Sequence, residues 1–339
     1  MLDRPAIMAG ASPSAGQILD GRFRLIEQIG RGGMATIFKA EDLADSSRLV
    51  VVKVPLPIFA GGGGSWSFFQ QEEAIGRRLD HPLVLRFVPL AADKRRSYVT
   101  TEYVPGRTLA DHLKERGVLP ESEALRLASQ LCTALDYLHG AGIVHYDLKP
   151  ANVMVCPDGT IRLIDFGMAH QVLRSRFALA AAPPAIGSSG YVAPEQARRK
   201  RGRPSVDIYG VGTILYEMLT GAPPFVDDDA FAVTSARQVG DPPSPAVANP
   251  ALTPQAEEIV LRALRRDPGE RYPSAASMKA DLDHPERVHV SGLRDRLQPP
   301  TAWRRRGRLI RYLTWIAALP LLSQVVLFRV LWLYLSHKH

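Results

Sequence analysis

Asp147, Asn152 and Asp165 are three oxygen-bearing side chains set close together in an otherwise apolar stretch of this 339-residue chain. Short apolar runs separate them, which predicts one rigid hairpin aiming all three at a single point. Such a layout suits phosphoryl transfer. The transferred group is already anionic, so a protein catalyst positions the nucleophile and neutralises charge, much of it with Mg²⁺. That ion prefers hard oxygen ligands and takes only one or two from protein, the rest coming from water and phosphates. Asp165 and Asn152 are the candidate metal ligands, which leaves Asp147 to orient the attacking hydroxyl and accept its proton.

The elements that must position these groups can be read on either side of them. Residues 23–29, 36–41 and 49–54 alternate or carry β-branched side chains and predict three strands, with Gly30, Gly32 and Gly33 in the first turn. Gly61, Gly62, Gly63 and Gly64 read as slack chain before a helix over 66–79, and strand-like runs recur at 83–90 and 97–103. Beyond Pro105 the pattern turns helical. Over 121–139 the residues Ala124, Leu127, Ala128, Leu131, Leu135 and Leu138 share one face, and Gly140 and Gly142 end the helix. Further helices are predicted at 206–219, 253–265 and 274–281. A strand-rich part followed by a helix-rich part predicts an α+β fold of two lobes, with the three polar residues just past their junction, where a cleft favours ligands.

Composition narrows the class. Hydrophobic residues make up 46% and charged residues 22% of the chain, enough apolar surface for a globular core. Cys132 and Cys156 are the only two cysteines, too few for a disulfide framework or a zinc site. The formal net charge of +8 is concentrated in two clusters, one at Arg198, Arg199, Lys200, Arg201 and Arg203, the other at Arg304, Arg305, Arg306, Arg308 and Arg311. Neither is interleaved with base-stacking aromatics, so no nucleic-acid partner is expected. Residues 1–19 lack an apolar core of useful length and read as a disordered leader, not a secretory signal.

His145-Tyr146-Asp147-Leu148-Lys149-Pro150-Ala151-Asn152 and Asp165-Phe166-Gly167 resemble the catalytic loop and metal-binding motif of eukaryotic-like protein kinases, in the bacterial, Hanks-type style. The resemblance extends over about residues 23–284 and implies a bilobal kinase domain at 20–285, with a small lobe at 20–104 and a larger one at 105–285. It implies ATP and Mg²⁺ as cofactors. Gly30, Arg31, Gly32, Gly33, Ala35 and Ile37 resemble the glycine-rich phosphate loop, with Ala35 and Ile37 in place of the family's third Gly and Val. Lys53 resembles the lysine that clamps the α- and β-phosphates, and Glu72 its ion-pairing partner on the helix. Glu73 is the neighbouring alternative, about 100° round that helix. Glu102 and Val104 resemble the hinge backbone that binds adenine, behind Thr101.

On the acceptor side, Lys149 matches the pattern of Ser/Thr-directed members, where it contacts the γ-phosphate. Glu195 and Arg271 resemble a structural ion pair, Asp207 the residue anchoring the catalytic-loop backbone, and Ser188 a hydroxyl bonding Asp147 and Lys149. Tyr146 departs from the family's Arg, whose positive charge meets a phosphorylated activation loop. The resemblance therefore implies a Ser/Thr protein kinase that is active without activation-loop phosphorylation. The competing expectations are a pseudokinase scaffold, which intact Lys53, Asp147 and Asp165 disfavour, and a small-molecule phosphotransferase, which the segment ending in Glu195 disfavours.

Residues 286–311 read as a basic juxtamembrane linker. From Tyr312 to Phe328 no formal charge occurs, and as a helix residues 312–335 would measure about 36 Å, enough to cross a bilayer core of roughly 30 Å. The preceding arginines predict a single-pass transmembrane helix with the catalytic region cytoplasmic, an interfacial helix being the alternative. Dimerisation is compatible with the sequence but not indicated by it.

Overall fold

The computed structural model describes residues 13–32, 35–56, 66–89, 98–166, 169–171, 190–197, 203–227, 229–298 and 300. The expectations for Gly33, the glycine run at 61–64, Ser188, most of the first basic cluster, the second basic cluster and the membrane helix at 312–335 lie outside these residues. Among the described residues, no helix is long and apolar enough to cross a membrane.

Alternating burial along the chain builds the first layer. Strands β1 (Ile18–Leu19), β2 (Phe23–Arg31), β3 (Ala35–Asp42), β4 (Arg48–Pro55) and β5 (Val99–Glu102) form one five-stranded sheet in that order. Each pairs antiparallel with the next. Phe23, Leu25, Phe38, Ala40, Val50, Val52 and Tyr98 pack into one apolar cluster, and Ala35 and Val99 meet Phe69 in another. Phe69 belongs to helix α1 (Trp66–Gly76), which this contact holds against the sheet. Register shifts between Leu25 and Glu27 and between Gln28 and Gly30 twist the β2–β3 ribbon at the end that carries the glycines.

Of the run at 83–90, the described residues 83–89 do not form a separate strand, contrary to the sequence pattern. The run makes isolated bridges at Val84 and Phe87, and its partners change along its length. Leu85 N–H donates to Leu163 O at 3.0 Å and Leu163 N–H to Leu83 O at 2.8 Å. Three residues on, Val88 N–H donates to Thr100 O and Glu102 N–H to Arg86 O, both at 2.9 Å. The segment is thus stitched to the second lobe by its first half and to the sheet by its second.

Below this seam the fold is helical. After β6 (Arg107–Thr108), helix α2 (Leu109–Arg116) starts at a Thr108 cap, whose side chain accepts from Asp111 N–H. Helix α3 (Glu121–Gly140) buries the predicted stripe of Ala124, Leu127, Ala128, Leu131, Leu135 and Leu138. Beyond it the chain reverses at Gly142, in the left-handed region at φ +72°. Strand β7 (Ile143–Val144) leads into the catalytic-type loop, and β8 (Val153–Val155) and β9 (Ile161–Leu163) form the hairpin expected from the apolar runs. Strand β10 (His170–Gln171) returns to pair with β7. Helix α4 (Pro194–Ala197) precedes α5 (Ser205–Thr220), which is buried almost all round and forms the centre of the lobe. Helices α6 (Ala230–Val239), α7 (Pro245–Ala248), α8 (Pro254–Ala263) and α9 (Ala275–Asp283) complete it. Helices α2, α4, α6 and α7 are not predicted by the sequence pattern, and each is ten residues or shorter.

Candidate active site

The loop between β7 and β8 is fixed from below by one carboxylate. Asp207, buried on α5, accepts from His145 N–H through Oδ2 and from Tyr146 N–H through Oδ1, both at 2.9 Å. His139 Nε2 lies 2.8 Å from the same Oδ2. These bonds hold Tyr146 at φ +66°, a left-handed conformation that costs a non-glycine residue on the order of 1–2 kcal/mol.

The buried ring of His145 ties this loop to the metal-binding type of segment. Its Nδ1 lies 3.3 Å from Asp147 N and its Nε2 3.4 Å from Ile164 O, a geometry that the Nε2–H tautomer satisfies at both nitrogens. Phe166 packs edge-on to His145 at 5.5 Å and tilted against Phe87 at 6.3 Å, so aromatic contacts run from the seam to the loop. Asp165 is also left-handed, at φ +67°.

Two polar side chains converge on Asp147. Lys149 Nζ donates to Asp147 Oδ2 at 2.7 Å, and Asn152 Nδ2 donates to Asp147 O at 2.8 Å and Oδ2 at 3.0 Å. Both hydrogens of the Asn152 amide are thereby committed, and its Oδ1 is the atom suited to a hard cation. Asn152 O accepts from Ile164 N–H at 2.9 Å, which links it to the residue before Asp165. One amide oxygen and one carboxylate fit the small protein share of a Mg²⁺ coordination sphere. Among the described residues, no group of three or more His, Cys, Asp or Glu is arranged to hold a metal by itself. A cation here would therefore also need phosphate or water oxygens.

Lys53 lies in β4, opposite Ile37 on one side and Val99 on the other. Its Nζ reaches Glu72 Oε1 at 2.6 Å and Asp165 Oδ1 at 3.4 Å. Burial by itself would lower the ammonium's affinity for its proton, but Asp165 and Glu72 outweigh it and hold the Lys53 pKa above its ordinary value. Glu73 instead turns to Arg77, accepting from Nη2 at 2.9 Å, as expected from their i, i+4 spacing. On the same helix Gln71 donates to Ala169 O at 2.6 Å, a contact that no motif announces.

At the edge of the cleft, Gly30 and Arg31 pair with Ile37 and Thr36, and Gly32 N–H donates to Ala35 O at 2.8 Å. Gly30, Arg31, Gly32, Ala35 and Ile37 thus form one hairpin end. Glu102 gives its N–H to Arg86 O at 2.9 Å, its carbonyl accepts from the Thr101 hydroxyl at 3.3 Å, and Val104 packs against the lower core beside it.

On the other flank, Glu195 and Arg271 form a forked pair, with Nη1 to Oε1 at 2.7 Å and Nη2 to Oε2 at 2.8 Å. The same guanidinium donates to Ser205 O and Arg265 O, so one side chain joins three segments. Gln196 accepts from Ala193 N–H at 2.9 Å and donates to Tyr146 O at 3.0 Å. A carboxylate held by an ammonium and an amide, a second carboxylate and a paired lysine therefore surround one cleft, an arrangement able to bind a metal–polyphosphate and deprotonate a hydroxyl.

Residues 23–284 match the family described as Protein kinase domain. The chain is 34% identical over 267 residues to a probable serine/threonine-protein kinase PknB of Lactococcus lactis, covering 79% of this chain and 42% of that protein. It is 37% identical over 270 residues to a probable serine/threonine-protein kinase of Streptomyces coelicolor, covering 78% and 40%. With the serine/threonine-protein kinase PrkC of Bacillus subtilis it shares 33% over 267 residues, covering 79% and 41%. The chain thus spans about two fifths of the length of these curated relatives.

Proposed function

Because this chain belongs to the protein kinase family, we propose that it transfers the γ-phosphate of ATP to Ser or Thr hydroxyls of proteins, with Mg²⁺ as the cation. The observation that carries this reading is the state of Asp147. Its Oδ2 is held by Lys149 and Asn152, while its backbone is tied through His145 and Tyr146 to Asp207. A carboxylate fixed in this way can accept a hydrogen bond from an acceptor hydroxyl in a defined direction and take its proton as the phosphoryl bond forms.

The remaining roles follow from position. Lys53, kept charged and aimed by Glu72, neutralises the α- and β-phosphates. Asp165 and Asn152 hold the cation, which supplies charge neutralisation when bound. Gly30, Arg31, Gly32, Gly33, Ala35 and Ile37 cover the phosphates. Glu102 and Val104 offer backbone groups to adenine, and Lys149, beside Asp147, steadies the transferring group. The names of the relatives, all serine/threonine-protein kinases, support the acceptor class.

Two finer points belong to the same proposal. Tyr146 cannot supply the positive charge that would meet a phosphorylated activation segment, and Gln196 already bonds its carbonyl, so activity does not depend on such phosphorylation. The apolar run at 312–335, preceded by arginines, anchors the protein in a membrane as a single span with the kinase domain cytoplasmic.

Purified protein with Mg²⁺ and labelled ATP should phosphorylate itself or a generic protein on Ser or Thr, and Asp147→Asn should abolish transfer while nucleotide binding persists. Equal transfer by wild type and Asp147→Asn would overturn the reading.

A further inference from the structure

Arg237 lies on α6, among the largest fully buried side chains of the protein, and its relative exposure is 1%. A buried guanidinium is costly unless its N–H groups are satisfied. Here Nη2 donates to Gly190 O at 2.6 Å and Nη1 donates to Val192 O. The flat cation also lies over the rings of Phe225, at 5.5 Å, and Tyr209, at 5.9 Å. Two backbone carbonyls two residues apart are thus gripped by one fork, a task suited to arginine geometry and not to lysine.

The gripped segment is tied to the catalytic loop through one side chain, Gln196. Ala193 N–H donates to Gln196 Oε1, and Gln196 Nε2 donates to Tyr146 O, next to Asp147. Tyr191 between the two carbonyls is held separately, its hydroxyl donating to Glu217 Oε2 at 2.7 Å. Helix α6 is itself pinned at its far end. Arg266 donates to Val239 O at 3.1 Å and to Asp241 Oδ1 at 3.0 Å. Asp241 also exchanges two bonds with Gln298, its N–H donating to Gln298 O and its Oδ2 accepting from Gln298 N–H. Arg237 therefore stands on a fixed base and grips a strip of backbone that Gln196 ties to the loop carrying Asp147.

We propose that Arg237 is a positioning residue for the protein acceptor, its two hydrogen bonds setting the backbone of residues 190–192 as the shelf on which an acceptor chain lies beside Asp147. This rests on the protein-acceptor reading above. Because these contacts of Arg237 go to Gly190, Val192, Phe225 and Tyr209, its loss weakens acceptor binding and leaves the chemical step intact.

The test compares Arg237→Leu and Arg237→Lys with wild type, using myelin basic protein and ATP as varied substrates. KM for the protein should rise about tenfold in Arg237→Leu and less in Arg237→Lys, with kcat and KM for ATP within about twofold of wild type. Hydrogen–deuterium exchange of the peptide covering 190–197 should accelerate in Arg237→Leu while that of 99–102 is unchanged. An unchanged KM for the protein, an equal rise in KM for ATP, or unaltered exchange at 190–197 would overturn the assignment. If wild type transfers no phosphate, the kinase reading fails on its own, and the exchange comparison still decides whether Arg237 sets the shelf. Should Arg237→Leu not fold, Arg237→Lys carries both measurements.

Discussion

Glu72 Oε1 lies 2.6 Å from Lys53 Nζ, and Glu72 is the more deeply buried partner, with 4% of its side chain exposed against 19% for the lysine. Burial pushes the Glu72 carboxyl up, and Lys53 is the main influence that opposes this. Replacing Lys53 by Met should therefore raise the Glu72 pKa further above its unfolded value. A carboxyl raised on folding stabilises at low pH, and that contribution is lost as pH rises through the folded pKa. Denaturant titrations should show Lys53→Met about 2–4 kcal/mol less stable than wild type near pH 8, with the gap narrowing toward pH 5. A gap that widens on acidification would contradict this account.

Gly210 on α5 faces the catalytic loop with no room to spare. A Cβ added there would sit 2.8 Å from Leu148 Cβ, between Asp147 and Lys149 in sequence. Gly210→Ala should cost about 1–3 kcal/mol through overpacking. Its kcat should fall more than its KM for ATP, because the displaced residue adjoins the base. Steady-state kinetics at a temperature well below the unfolding midpoint would show this, and unchanged kcat would count against the geometry.

The forked pair of Glu195 and Arg271 is buried, with the arginine side chain fully enclosed. Removing one partner leaves the other charge uncompensated, so Glu195→Ala should lower stability by about 3–5 kcal/mol. Arg271→Lys should recover little of the loss caused by Arg271→Ala, since an ammonium cannot span both carboxylate oxygens and the carbonyls of Ser205 and Arg265. Urea unfolding of the three variants gives the comparison.

Between Gly167 and Ala193 the sequence has no Thr and, besides Ser188, only the serines Ser175 and Ser189 to phosphorylate. Ser175→Ala/Ser189→Ala protein should keep phosphotransfer within about threefold of wild type, since Tyr146 offers no cation for a phosphate to engage. Assay after phosphatase treatment makes the same point without substitution. Loss of activity in either experiment would show that a phosphorylated segment is required.

Much of the site could be read from the chain because its spacing is local. Asp147, Asn152 and Asp165 belong to one loop and one short hairpin, so their sequence separation nearly dictates their meeting. Glu72 is assigned through the resemblance, helical geometry adding only that Glu73 points about 100° away, and Glu73 does bond Arg77. What could not be read depends on contacts between distant segments. Arg237 looks like an ordinary helix arginine until residues 190 and 192 are laid beside it. His145, Gln71 and Gln196 act through backbone oxygens, which leave no trace in residue type. The segment 83–90 alternates like a strand, yet its hydrogen bonds are divided between two neighbours. Residues 291–298, read as part of a linker, rest on the second lobe, where Ser291 and Leu293 bond to Glu258 and Gln298 bonds to Asp241.

The divided bonding of residues 83–88 has a mechanical consequence. A chain segment fastened at Leu83 and Leu85 to one lobe and at Arg86 and Val88 to the other behaves as a pivot pin. A rotation of one lobe against the other about this line would leave Phe87 and Phe166, which meet near it, in contact. Points close to the axis move least. The Lys53–Asp165 pair, which bridges the two lobes at 3.4 Å, would open and close with such a swing.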